Sequence, residues 1–146
     1  SDTGRRAEAE TAYTEALTLY RDLAARDPGA YRPNVAITLS NLGILLSNTG
    51  RMPEAETAYT EALTLYRDLA ARDPGAYRPN VATTLKNLGI LQFETGKITE
   101  AKAAFAEVLA IYRALEAGNP RIYTPKIKQL SAALEQLAQA SPTQPK

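Results

Sequence analysis

The feature that most constrains this chain is that it repeats itself. Residues Glu8 to Ala36 recur without a change as Glu54 to Ala82, an offset of 46 residues. Extending the frame gives units 7–52 and 53–98, which differ at eight positions: 7/53, 37/83, 40/86, 46/92, 47/93, 48/94, 51/97 and 52/98. A third, diverged unit, 99–140, keeps the offset: Tyr31 and Tyr77 become Tyr123, Pro33 and Pro79 become Pro125, Tyr13 and Tyr59 become Phe105, and Ala9 and Ala55 become Ala101. A period of about 20–50 residues means that each unit is a small structural element unable to bury its apolar face alone. Such a chain stacks as an array, here a single domain over residues 1–146, with disordered tails expected at 1–6 and 141–146.

Each unit holds two helical patterns separated by turn residues. The first runs from about Ala7 to Arg26, with Ala9, Ala12, Tyr13, Ala16, Leu17, Tyr20, Leu23 and Ala24 at the spacing of one buried helix face. Asp27-Pro28-Gly29 ends it, because Pro28 disfavours helical geometry in the residue before it and Gly29 suits a turn. Pro33 then fits the first turn of a second helix, where an amide is not needed, and Gly50 suits the left-handed position that closes that helix.

The run Leu39, Leu42, Gly43, Leu46, Gly50, Ala55, Tyr59, Ala62, repeated as Leu85, Leu88, Gly89, Gln92, Gly96, Ala101, Phe105, Val108, resembles the signature of the tetratricopeptide repeat. In that family helix A carries a large residue, Leu, Gly and an apolar residue, and helix B carries Ala, an aromatic and Ala. The period of 46 exceeds the family's usual 34, and the Pro that closes helix B arrives late, at Pro74, so helix B is longer. The chain is thus similar to the long-helix arrays of kinesin light chains and of bacterial regulatory proteins. The resemblance implies an all-α, right-handed solenoid of antiparallel helix pairs, about six helices in all. Gly43 and Gly89 then stand inside helices, each at a cost of about 1 kcal/mol relative to Ala, which is tolerable where the missing side chain lets two helices approach.

Composition narrows the chemistry. With no His and no Cys, imidazole bases, thiol nucleophiles, disulfides and Cys/His zinc sites are excluded. Seventeen Lys and Arg against sixteen Asp and Glu leave a net charge of +1, which provides no bulk attraction for nucleic acid or an anionic membrane. No apolar run reaches the roughly 18 residues of a membrane span, and the cytoplasm is the default location. Gly96-Lys97-Ile98-Thr99 fails as a phosphate loop because position 91 is Leu where the motif needs Gly. Glu8, Glu10, Glu15, Glu54, Glu56 and Glu61 read as solvated carboxylates, and Tyr13, Tyr20, Tyr59 and Tyr66 as core residues. Neither an enzyme nor a cofactor or metal protein is expected.

The resemblance places helix A along a concave groove, and the spacing assigns to that groove Ile37, Ser40, Asn41, Ile44, Ser47 and Asn48, then Thr83, Lys86, Asn87, Ile90, Phe93 and Glu94. Four of the eight differences between the twin units fall on these six positions, where random placement would put about one. The scaffold is copied while the stripe is altered, as suits a surface that binds an extended peptide or protein segment. In peptide-binding members of the family an Asn at the place of Asn41 and Asn87 often grips a peptide backbone, and a carboxamide offers both donors and an acceptor for it. A clamp for two carboxylates would want a further Asn at 44 or 90, and both are Ile.

The chain opens on a B-type helix and closes on an A-type helix, Pro125 to Gln139, in which Glu135 replaces the helix glycine and Gln136 and Gln139 are polar. The last helix reads as a cap, and the start as uncapped, consistent with a piece of a longer array. An alternative function follows: a structural spacer stacking end to end, or a homodimer or helix-swapped oligomer formed through helix 7–26.

Overall fold

The computed structural model describes residues 2–139, and all its regular structure there is helical: α1 (Asp2–Arg26), α2 (Pro28–Asn48), α3 (Met52–Arg72), α4 (Pro74–Glu94), α5 (Ile98–Glu116) and α6 (Pro120–Gln139). Helices α1, α3 and α5 are of type B and α2, α4 and α6 of type A. Two sequence expectations are corrected, and one falls outside the described residues. Helix α1 begins at Asp2, so residues 2–6 continue the helix instead of forming a tail, with the acidic Asp2 in the first turn where the helix dipole favours it. The expected tail 141–146 lies outside the described residues. The A-type helices begin one turn and more before Pro33, Pro79 and Pro125, at Pro28, Pro74 and Pro120.

That early start has a local cause. The Ala30 amide donates to Asp27 Oδ1 (3.3 Å), and the Ala76 amide to Asp73 Oδ1 (3.2 Å), so each aspartate caps a helix whose first residue is a proline. Pro33 then sits inside α2 and withholds the amide that would bond the Gly29 carbonyl, but Gly29 is exposed and water has access to it. The other ends behave as expected. Gly50 and Gly96 adopt φ of 80° and 82°, and the amides after them, of Arg51 and Lys97, reach back to the carbonyls of Leu46 (2.8 Å) and Gln92 (2.7 Å).

The chain divides into two compact units, Ser1–Thr84 and Leu85–Lys146, with the boundary inside α4, where the sequence led us to expect one domain. An array in which each helix packs only on its neighbours has no single centre to hold it as one body. In the first unit α2 packs against both α1 and α3 around Leu17, Val35, Leu39, Ala58 and Ala62, flanked by Tyr20, Ala24, Leu42 and Leu65. In the second, α5 packs against α6, with Phe105, Val108, Tyr112, Leu130 and Leu137 buried. Arg21–Glu61 (2.7 Å) and Arg51–Glu10 (2.7 Å) link α1 to α3 and its N-cap, but the pairs are solvent-exposed and screened by water and salt. Apolar burial holds the helices together.

Identical sequence is buried differently in α1 and α3. Ala55, Ala58, Tyr59, Ala62, Leu63 and Tyr66 are buried in α3, whereas of their counterparts in α1 only Leu17 is buried. Helix α3 packs on α2 and also meets the first turns of α4, where the Tyr66 and Tyr77 rings lie 6.5 Å apart; α1 packs on α2.

The mid-helix glycines sit where two helices touch. A Cβ on Gly43 would lie 2.7 Å from two ring carbons of buried Tyr59, and one on Gly89 would lie 3.0 Å from the Phe105 ring. Gly43→Ala should therefore lower the melting temperature, because overpacking costs about 1–3 kcal/mol against the roughly 1 kcal/mol that Ala gains in helix propensity. Gly89→Ala should be close to neutral, and Leu at either position should prevent folding. Thermal melts in which Gly89→Ala is the more damaged of the two alanine variants contradict this packing.

Gln92 stands where the twin unit has the buried Leu46, and its Oε1 is buried with no hydrogen-bond partner among the described residues. An orphaned acceptor of this kind costs about 1–3 kcal/mol. Gln92→Leu should raise stability in chemical denaturation; an unchanged midpoint would show that the oxygen is already satisfied.

Candidate functional site

The twelve stripe residues lie on the outward side of α2 and α4. Ile37 is 50% exposed and Phe93 46%, and Ile44, Ile90, Asn48, Thr83, Lys86 and Glu94 are exposed too; Ser40, Asn41, Ser47 and Asn87 are half-buried. Exposed apolar and polar side chains thus alternate along each helix. Three of the stripe hydroxyls are already engaged. Thr83 Oγ1 donates to the Pro79 carbonyl (3.0 Å), Ser47 Oγ to Met52 Sδ (3.9 Å), and Ser40 Oγ lies 3.5 Å from Thr84 Oγ1. The Asn41 and Asn87 carboxamides have no hydrogen-bond partner among the described residues.

In the first unit Ser40 belongs to a neutral polar cluster. Ser40 and Asn80 both hydrogen-bond the hydroxyl end of Tyr66, whose ring stands against Tyr77. Burial pushes the Tyr66 hydroxyl above the usual tyrosine range, while the bonds with Asn80 and Ser40 pull it back. With Thr84 beside Ser40, each polar group of the cluster has a partner.

The second unit carries the same scaffold with different chemistry. At the 46-residue offset, Ser40 becomes Lys86, Tyr66 becomes Tyr112, Asn80 becomes Lys126 and Thr84 becomes Leu130. These four, with Ile90, Phe105, Gln129 and Ala133, line a hollow of about 260 Å³ on the surface of α4, α5 and α6. Lys126 Nζ stands 5.9 Å from the centre of the Tyr112 ring, a cation–π contact, and Tyr112 tilts against Tyr123 at 5.7 Å. Burial, and then the neighbouring Tyr123, hold the Tyr112 hydroxyl above the usual range. Glu116, nearby in the chain, accepts a hydrogen bond from Thr124 Oγ1 (2.6 Å) and is not part of the lining.

Sequence reasoning found Lys86 and Ile90 of this hollow and missed Phe105, Tyr112, Lys126, Gln129, Leu130 and Ala133. Comparing only the twin units hid them, because the change from Asn34 and Asn80 to Lys126 appears only in the diverged third unit. Of the residues weighed for other chemistry, Tyr59 and Tyr66 are buried and Tyr13 and Tyr20 half-buried. Among the described residues no group of three or more acidic side chains is placed to hold a metal ion, and no helix is long and apolar enough to cross a membrane.

Tyr66 and Tyr112 make an alkaline prediction. Each binds its proton more tightly in the folded chain than in the unfolded one, so its contribution to stability is complete below about pH 10 and is lost as pH rises through the raised folded value. The melting temperature should fall as pH climbs above that point. Tyr66→Phe combined with Tyr112→Phe should flatten the fall, and an unaltered slope would place its origin elsewhere.

The comparisons with known proteins agree with this architecture. A family model for the tetratricopeptide repeat matches residues 1–68 and 67–114, most of the chain. No curated protein matches. Among solved structures the chain is similar to BtubC (BKLC) from P. vanneervenii, with a TM-score of 0.63 and 20% sequence identity over 92% of this chain and 50% of that one. At that identity the likeness speaks to fold, and the chain spans about half the length of that structure. Repeats of this type generally mediate contacts between proteins and are typically non-enzymatic. With paired helices throughout, a glycine seated against an aromatic ring in each unit and a family match over most of its length, the chain belongs to the tetratricopeptide repeat family.

Proposed function

We propose that this chain is an interaction module that binds an extended peptide or protein segment along the exposed stripe of its A-type helices. The observation that carries the reading is the pair of half-buried carboxamides, Asn41 and Asn87, without a hydrogen-bond partner among the described residues and each beside an exposed isoleucine, Ile44 or Ile90. An extended peptide presents amide donors and carbonyl acceptors that such a group can meet, while Ile37, Ile44, Ile90 and Phe93 provide apolar contact and Lys86 and Glu94 select by charge. Ser40, Ser47, Asn48 and Thr83 complete the stripe, with Ser40 and Ser47 acting through the side chains they already hold.

Selection from a randomised nine-residue peptide library supplies ligands for the test. Asn41→Ala with Asn87→Ala should weaken their binding by about 1–3 kcal/mol in all and leave the melting temperature nearly unchanged. A double variant that melts early but still binds reverses the assignment.

A second reading rests on the unequal burial of α1 and α3. Side chains that α3 buries are exposed or half-exposed on α1, among them Ala12, Tyr13 and Tyr20. A surface of that kind suits a spacer that stacks end to end, or a dimer or exchanged helix formed through residues 7–26. Sedimentation up to several hundred micromolar, on the order of the concentrations at which weak dimers form, separates the readings: the spacer grows without a partner and the peptide binder does not.

A further inference from the structure

We infer that the hollow of the second unit selects an acidic peptide segment, taking an apolar side chain against Ile90, Phe105, Tyr112 and Leu130 and an adjacent Asp or Glu carboxylate between Lys86 and Lys126. The inference deepens the peptide-binding reading and rests on it.

Two equivalent places in this chain carry different side chains. Around Tyr66 the side chains at these positions are uncharged: Ser40 and Asn80 bond the phenol, and Thr84 stands against Ser40. Around Tyr112 the same backbone positions carry two ammonium groups and a leucine, and the phenol loses both of its hydrogen-bond partners. Lys86 and Lys126 have no carboxylate partner among the described residues, and no acidic side chain lines the hollow. Two like charges at the rim of one hollow repel each other, and each carries three donors. A carboxylate placed between them relieves that repulsion and receives charge-assisted hydrogen bonds. The floor is apolar and aromatic, so the complementary partner carries an apolar side chain next to its acid. Charge sets the orientation, and the floor supplies the contact area. The Tyr66 cluster lacks both ammonium groups and offers no such discrimination, so acidic selection belongs to the second unit alone.

The probe is a synthetic array of nine-residue peptides with a central Leu and either Glu or Gln at each flanking position, followed by fluorescence anisotropy on the best Glu peptide and its Gln counterpart. The Glu peptide should bind at least tenfold more tightly, and more weakly as salt is raised. Lys86→Ser with Lys126→Asn, which installs the residues of the first unit at exposed positions, should abolish that preference while circular dichroism and the melting temperature stay as they were. Lys86→Arg with Lys126→Arg should retain it. Equal binding of the Glu and Gln peptides, failure of every Glu peptide to bind, or an undiminished preference in the Ser/Asn variant overturns the inference. Asn41→Ala with Asn87→Ala separates the two readings. If it abolishes binding while the Ser/Asn variant behaves as the native chain, the stripe stands and the hollow fails. If the Ser/Asn variant loses the preference while the alanine pair binds normally, the hollow stands and the asparagine grip fails.

Discussion

The close approach of a side-chain-free turn to an aromatic ring underlies the rest of this structure. Gly43 of α2 faces Tyr59 of α3, and Gly89 of α4 faces Phe105 of α5, at distances where a methyl group would collide or nearly so. A glycine inside a helix sacrifices helix propensity, and what offsets the loss is burial of a whole ring against the neighbouring backbone. Once that contact is made, the register of one helix on the next is set. Val35, Leu39, Ala58 and Ala62 then close into one cluster, and the opposite side of each A-type helix is left facing outward with Ile37, Ile44, Ile90 and Phe93 on it. The candidate binding stripe is in that sense a by-product of the packing.

Repetition makes the chain its own control. Helices α1 and α3 share their sequence from Glu8 and Glu54 onward, yet one buries a single residue and the other six. No local property explains the difference, since propensity, periodicity and capping chemistry are equal over that stretch. Neighbours explain it. The same comparison applies to the tyrosines: Tyr66 and Tyr112 are equivalent, both are buried and both are held above the usual tyrosine range by that burial, but one is enclosed by Ser40 and Asn80 and the other stands beside lysines. A scaffold whose packing tolerates Ser, Asn or Lys at its rim can change what it binds without changing how it folds.

The 46-residue period, the helix pairs, the left-handed Gly50 and Gly96, and the burial of Tyr59 and Tyr66 were legible in the residues, because each depends on local stereochemistry or on the spacing of apolar side chains. The prolines misled for a local reason of another kind: Pro33 satisfies the rule for a first helical turn, but Asp27 with Pro28 satisfies it better, since the aspartate also caps the amide of Ala30. The stripe was legible as a face of a helix, whereas the engagement of Ser40 with Thr84, residues 44 apart in sequence, was not.

By itself, then, the sequence determined the class of fold, the length of each unit and which side chains each helix presents together, since periodicity and turn chemistry act within a few residues. Tertiary structure alone decided which of two stretches of identical sequence is buried, which polar groups satisfy one another, and that Lys86 and Lys126 meet around Tyr112 in one hollow. Those outcomes depend on which helices come to lie side by side, a choice made by packing between segments and invisible to any reading of one segment at a time.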